Sequence, residues 1–173
     1  SPNLIRVLRS VLRHPHTSDK HWGLRSKEWY DNVFESHAHY HKHYSESAYH
    51  FIWTVVADRI LRSGASSVLD LGCGPGQFAS LLRDKGLKRY CGVDFSSKAI
   101  DLARQQCPSF DFRVADLSES DLLKMFDYDC VVALELLEHV RDDDTIIGQI
   151  RSGTKFYATV PNFPDVSHVR HFS

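Results

Sequence analysis

The sequence has little net charge: 21 Lys and Arg against 22 Asp and Glu leave −1. No global field therefore draws it to nucleic acid or to an anionic membrane surface. It lacks an apolar run of membrane-spanning length, and no signal-peptide pattern opens it. Its four cysteines, Cys73, Cys91, Cys107 and Cys130, include no CxxC pair. That argues against a zinc site or a disulfide framework. Free thiols in a reducing cytoplasmic setting are expected, three of them in or beside apolar strand-like runs. No internal repeat or low-complexity linker divides the 173 residues, so one globular unit with a sizeable core is expected.

What is present is organised in two parts: 1–44 reads as an N-terminal helical and lid segment, and 45–173 as the core. Leu4, Ile5, Val7, Leu8, Val11 and Leu12 sit at helical spacing with Arg6, Arg9 and Arg13 between them. Such a basic amphipathic helix is expected to pack on its own domain or a partner rather than on a membrane. The run Ser36-His37-Ala38-His39-Tyr40-His41-Lys42-His43-Tyr44 alternates histidines. It reads as a polar flap, because no Cys or carboxylate pattern completes a metal site. From Ser45 to about Arg62 one helix is expected, with Phe51, Ile52, Val55, Val56, Ile60 and Leu61 on its apolar face.

Strands and helices then alternate. Strands are expected at 67–71, 90–94, 111–115, 129–134 and 155–160, and helices at 77–85, 97–106, 119–125 and 142–150. This order means parallel strands with helical crossovers, a doubly wound, mostly parallel α/β sheet. Ligands on such sheets bind at the carboxyl ends of the strands, near the topological switch point. Asp70, Asp94, Asp116 and Glu135 all fall at or just past such ends.

The first strand runs into Val68-Leu69-Asp70-Leu71-Gly72-Cys73-Gly74-Pro75-Gly76. Glycines at 72, 74 and 76 remove Cβ atoms where a backbone approaches a ligand. A dinucleotide site wants GxGxxG; the spacing here is GxGxG. Asp70, just before the turn, would repel a pyrophosphate and suits a ligand with positive charge nearby. Asp94 is spaced to accept two hydrogen bonds from a ribose diol.

These residues resemble the class I S-adenosylmethionine-dependent methyltransferases. VLDLGCGPGQF is similar to their first motif, and Tyr90–Ser96 to the second. Phe112–Leu117 resembles the third, Asp129–Val140 the fourth and Tyr157–Asn162 the fifth; together they cover about 45–163. The resemblance implies S-adenosylmethionine as cofactor, with S-adenosylhomocysteine as product. It implies cofactor contacts from Asp70, Gly72, Cys73, Gly74, Gly76, Asp94, Phe95, Ser96, Ala115, Asp116, Leu117 and Glu135. Asp70 lies near the amino-acid end, Asp94 on the ribose hydroxyls, and Asp116 near the adenine amino group. Phe95 and Leu117 flank the adenine. The N-terminal segment is expected to lid the cofactor, with Tyr40, His41, His43 and Tyr44 lining it.

Methyl transfer to a hydroxyl needs a base, and His139 and His168 are the candidates, with His171 nearby in sequence. In the run Glu135-Leu136-Leu137-Glu138-His139, a helical turn would bring Glu135, Glu138 and His139 to one face, where they could converge on a divalent ion with His168 or His171 completing the set. Such runs resemble both quinone-biosynthesis O-methyltransferases and the metal-dependent enzymes that methylate a small-RNA 2′-hydroxyl. The preferred reading assigns no metal: Glu135 touches the cofactor pocket, while Glu138 and His139 orient a loop. RNA is disfavoured, since positive charge collects only in 1–30, with six Lys and Arg against two acids.

The family sheet has two further strands in an antiparallel hairpin, and the sequence reaches Ser173 with no room for it. A five-stranded core lacking that hairpin is therefore expected in these residues, either as a naturally short version or as part of a longer chain whose C-terminal portion lies beyond them. The bare fifth-strand edge then needs a cover, from the N-terminal segment or from a homodimer partner. The expected function is O-methylation of a small-molecule acceptor. Two rivals stand: a metal-assisted RNA 2′-O-methyltransferase, and a non-catalytic cofactor-binding subunit.

Overall fold

The computed structural model describes residues 25–119, 121–161 and 168–169. The expected amphipathic helix at 4–12, and His171, lie outside them. Five strands form one sheet: β1 (Ser67–Leu71), β2 (Arg89–Asp94), β3 (Asp111–Val114), β4 (Cys130–Leu134) and β5 (Lys155–Thr159). Their order is β3-β2-β1-β4-β5 and every pairing is parallel. The helices are α1 (Lys27–Ser36), α2 (His50–Arg62), α3 (Gln77–Asp84), α4 (Ser97–Gln106) and α5 (Asp143–Gly148). Among the described residues, no helix is long and apolar enough to cross a membrane.

The central strands of the sheet are buried on both faces because their residues alternate between two apolar clusters. Val68 and Val132 pack with Val56, Ile60, Phe78, Leu82 and Ile100 on the side of α2, α3 and α4. Leu69, Leu71, Val131 and Ala133 pack with Leu123, Ile146 and Ile147 on the other side. Each such side chain contributes about 1.5–3 kcal/mol by leaving water. β1 is buried along its whole length and carries a partner on each side. The direction of winding reverses between β1 and β4, so a crevice opens there at the strands' carboxyl ends.

Outside the ExxEH run, the local structure differs from the expected elements in three places. The helix expected from Ser45 begins at His50, after a separate 3-10 turn at Tyr44–Glu46. The helix expected at 119–125 is a 3-10 turn, Leu122–Met125. The His-rich run is neither strand nor plain loop: Ala38–His41 is a 3-10 turn held against the core by side chains. Gln77 Nε2 donates to the carbonyls of His39 and Lys42, and Gln106 Nε2 donates to that of Tyr40.

Candidate functional site

β1 delivers the chain into the glycine turn. Gly72, Gly74 and Gly76 all have left-handed backbone, with φ of 69°, 53° and 82°. They are not equivalent. A Cβ on Gly76 would stand 2.9 Å from Ala103 Cα, and one on Gly72 would stand 2.7 Å from Leu136 Cδ1. One on Gly74 would meet nothing nearer than the Phe34 ring at 3.9 Å. Gly72 and Cys73 donate their backbone N–H groups to the Val93 carbonyl, which lashes the turn to β2.

Two acids sit under this turn. Asp70 is 2% exposed and accepts from the Tyr90 hydroxyl at 2.5 Å. Burial raises its carboxyl to about 7. Gly92 lies opposite Asp70 in the register, and a Cβ there would strike Cys73 Sγ at 2.7 Å and the Phe112 ring at 2.9 Å. Asp94 ends β2 and is 5% exposed. Its Oδ2 accepts from Gly74 N and its Oδ1 from Ser96 N, both at 2.9 Å. Burial lifts it to about 6, with those N–H groups pulling the other way and Asp31 adding to the rise. Phe95 is half-buried beside it. Ala115 N donates to the Asp94 carbonyl at 3.0 Å. Asp116 is exposed and accepts from Ser118 N, while Leu117 is buried.

β4 hands over to a left-handed residue. Glu135 has φ 52°, and its N–H donates to the carbonyl and the hydroxyl of Thr159. A non-glycine residue held there stores strain of a kind that gathers at functional sites. This reversal prevents the α-helical turn expected over the ExxEH run. Leu137–His139 is a 3-10 turn instead. Glu138 and His139 are brought together with His168, and Glu135 is left out of that set. Val169 N donates to the Glu138 carbonyl at 2.7 Å, which fixes His168 beside the turn.

The His139 and His168 rings lie 5.1 Å apart between centroids. His139 Nε2 is 3.7 Å from Glu138 Oε1. Glu138 is 1% exposed, and burial raises its carboxyl to about 8, with Glu135 adding to the rise. One ligand atom from each of Glu138, His139 and His168 falls within 4.8 Å of the others. A carboxylate with two imidazoles can hold a proton or a borderline divalent cation.

α1 covers this crevice. Tyr30 packs edge-on against Phe95 at 5.2 Å and against His139 at 6.1 Å, spanning the β2 loop and the β4 loop. Burial raises its hydroxyl to about 12, helped by the charges of Asp94 and Glu138. The sequence pointed instead to Tyr40, His41, His43 and Tyr44. Of these, His41 bonds the Phe34 carbonyl and Tyr44 donates to Asp84. Tyr30, Asp31 and Tyr90 sit in no local sequence pattern that assigns them an individual role. The Asp70–Tyr90 pairing follows from the strand register: Tyr90 opposes Val68, which shares Asp70's face of the sheet.

A family model described as "Methyltransferase domain" matches residues 68–155. A Mycolicibacterium smegmatis protein named "Probable S-adenosylmethionine-dependent methyltransferase" is 30% identical over 105 residues, 58% of this chain and 40% of its own. A ubiquinone biosynthesis O-methyltransferase of Xanthomonas campestris is 30% identical over 118 residues, covering 63% and 48%. The chain thus spans half or less of the length of these relatives. Among solved structures, the fold is similar to magnesium protoporphyrin IX methyltransferase from Synechocystis. The TM-score is 0.55 at 20% identity, covering 73% of this chain and 71% of that one.

Proposed function

The chain belongs to the class I S-adenosylmethionine-dependent methyltransferase family, and on that premise we propose that it methylates a hydroxyl of a small-molecule acceptor. The observation that carries this reading is the His139–His168 pair, held beside Tyr30 and so next to the loop of Asp94. One kind of named relative supports it, the ubiquinone biosynthesis O-methyltransferases.

When bound, S-adenosylmethionine supplies a methyl group on a sulfonium, already activated for in-line displacement. The residues suit that cofactor. Gly72, Cys73, Gly74 and Gly76 offer it a backbone cradle, and Asp94 accepts both ribose hydroxyls. Phe95 and Leu117 flank the adenine, with Ala115 and Asp116 at its amino edge. Ser96 steadies Asp94. Asp70 and Glu135 bring negative charge toward the amino-acid end. His139 takes the acceptor's hydroxyl proton, with Glu138 Oε1 standing 3.7 Å from its Nε2. His168, its ring 5.1 Å from that of His139, is the second candidate for that proton.

Calorimetric titration with S-adenosylhomocysteine and with NAD tests the cofactor. Binding of the first and not the second is expected, with loss in Asp94→Ala and in the milder Asp94→Asn. A screen of small hydroxyl acceptors, read by S-adenosylhomocysteine release, tests the transfer. His139→Ala should lose at least about a hundredfold in turnover while binding S-adenosylhomocysteine normally. Unchanged turnover in that variant sinks the base assignment. Binding without turnover on any acceptor would favour a cofactor-binding subunit.

A second reading is favoured by one observation: the buried Glu138 Oε2 has no hydrogen-bond partner among the described residues and stands with His139 and His168. In that reading the three residues hold a divalent cation, which would polarise the acceptor hydroxyl. Manganese titration separates the two readings. Turnover that survives chelation, with no manganese bound, removes the second.

A further inference from the structure

α1 does more than roof the crevice. At its centre Asp31 Oδ1 accepts from the Ser96 hydroxyl at 2.5 Å and from the Lys98 N–H at 3.3 Å. One turn on, Glu35 pairs with Lys98 Nζ at 3.3 Å. Ser96 is fully buried and already committed. Its Oγ accepts from Ala99 N at 3.1 Å, capping α4, and its own N–H donates to Asp94 Oδ1 at 2.9 Å. With the oxygen serving Ala99, the hydroxyl proton goes to Asp31. One residue therefore joins the acid of α1 to the acid that ends β2.

Simple helix-to-helix adhesion does not require this wiring. The cap of α1 is Ser26, whose Oγ accepts from Trp29 N, so Asp31 serves no capping role in its own helix. Asp is also a poor helix-interior residue. The outer Lys98–Glu35 pair already ties α1 to α4 at the surface. A second carboxylate this close to the buried Asp94 is an unfavourable neighbour unless hydrogen-bond donors separate and orient the two.

We propose that Asp31 is a positioning residue for the cofactor ribose: from α1 it fixes Ser96, and through the Ser96 N–H it holds the Asp94 carboxylate in the orientation that accepts a vicinal diol. Docking of α1 and binding of the diol are then two halves of one equilibrium. Each strengthens the other by the same factor, as linkage requires. The proposal goes beyond the acceptor chemistry and rests only on an adenosyl cofactor, which wild-type binding of S-adenosylhomocysteine tests separately.

The test is a pair of titrations, with S-adenosylhomocysteine and with its 2′-deoxy analogue, on wild type, Asp31→Ala, Asp31→Asn and Glu35→Gln. Asp31→Ala should weaken S-adenosylhomocysteine about tenfold and the deoxy analogue no more than about twofold. Asp31→Asn keeps an acceptor oxygen for Ser96 and Lys98 and should recover most of the loss. Glu35→Gln should bind within about twofold of wild type. The thermal midpoint of each free variant separates adhesion from positioning. An equal loss for both ligands in Asp31→Ala would show general adhesion and overturn the proposal. So would a fall in midpoint with no loss of affinity, or a failure of Asp31→Asn to recover binding.

Discussion

At the scale of single residues, three glycines that look alike in sequence do different jobs. Gly76 combines a φ of 82° with backbone 2.9 Å from where a Cβ would stand, and backbone cannot swing aside. Gly76→Ala should therefore destabilise the fold by roughly 2–4 kcal/mol. Gly74→Ala meets only a ring edge at 3.9 Å and carries strain alone, so roughly 1 kcal/mol is expected. Urea unfolding of the two variants checks the order, and a reversal would refute the steric argument. The GxGxG spacing announced the turn. It could not rank its members, because the rank depends on Ala103 and Leu136, which arrive from other elements. Asp94 was legible for the opposite reason: a strand end twenty or so residues past a glycine turn is a local pattern.

At the scale of elements, the sheet was readable because apolar strands, crossover helices and turn residues all point to one architecture. The misread elements are those where polar side chains compete with the backbone. Ser47 Oγ accepts from Tyr49 N just before α2, and this local bond interrupts what apolar spacing alone suggests is one helix. The ExxEH run failed as a helix because β4 ends in a left-handed residue pinned by Thr159. The His-rich turn depends on Gln77, a buried amide spending both protons on carbonyls at 3.1 and 2.9 Å. Gln77→Ala should release it at a loss of about 1–3 kcal/mol. Amide hydrogen exchange should then accelerate across 37–44 while β1 and β4 keep their protection. Uniform acceleration would instead mean that the turn and sheet open together.

For the molecule as a whole, the buried acids set a pH dependence. Asp70 and Asp94 are held up to about 7 and about 6, above the range of an unfolded carboxyl. An acid raised in the fold stabilises it below its unfolded pKa, and that contribution fades as pH climbs through the folded value. Between about pH 4 and about pH 7 the ligand-free protein should lose stability from these two groups. Asp70→Asn, still able to accept from Tyr90, should flatten part of that slope. A variant with the wild-type slope would show that Asp70 titrates normally. The five parallel strands leave β5 at the sheet edge, with Lys155 and Ala158 exposed along it.

The same two carboxyls make hydrogen ions a competitor for the crevice. A diol that donates to Asp94, or a cation near Asp70, favours the ionised form and drives a proton into the medium. Cofactor loading should thus acidify its surroundings near neutrality. Heats of binding measured in phosphate and in Tris should differ, because the two buffers absorb the released proton with different enthalpies.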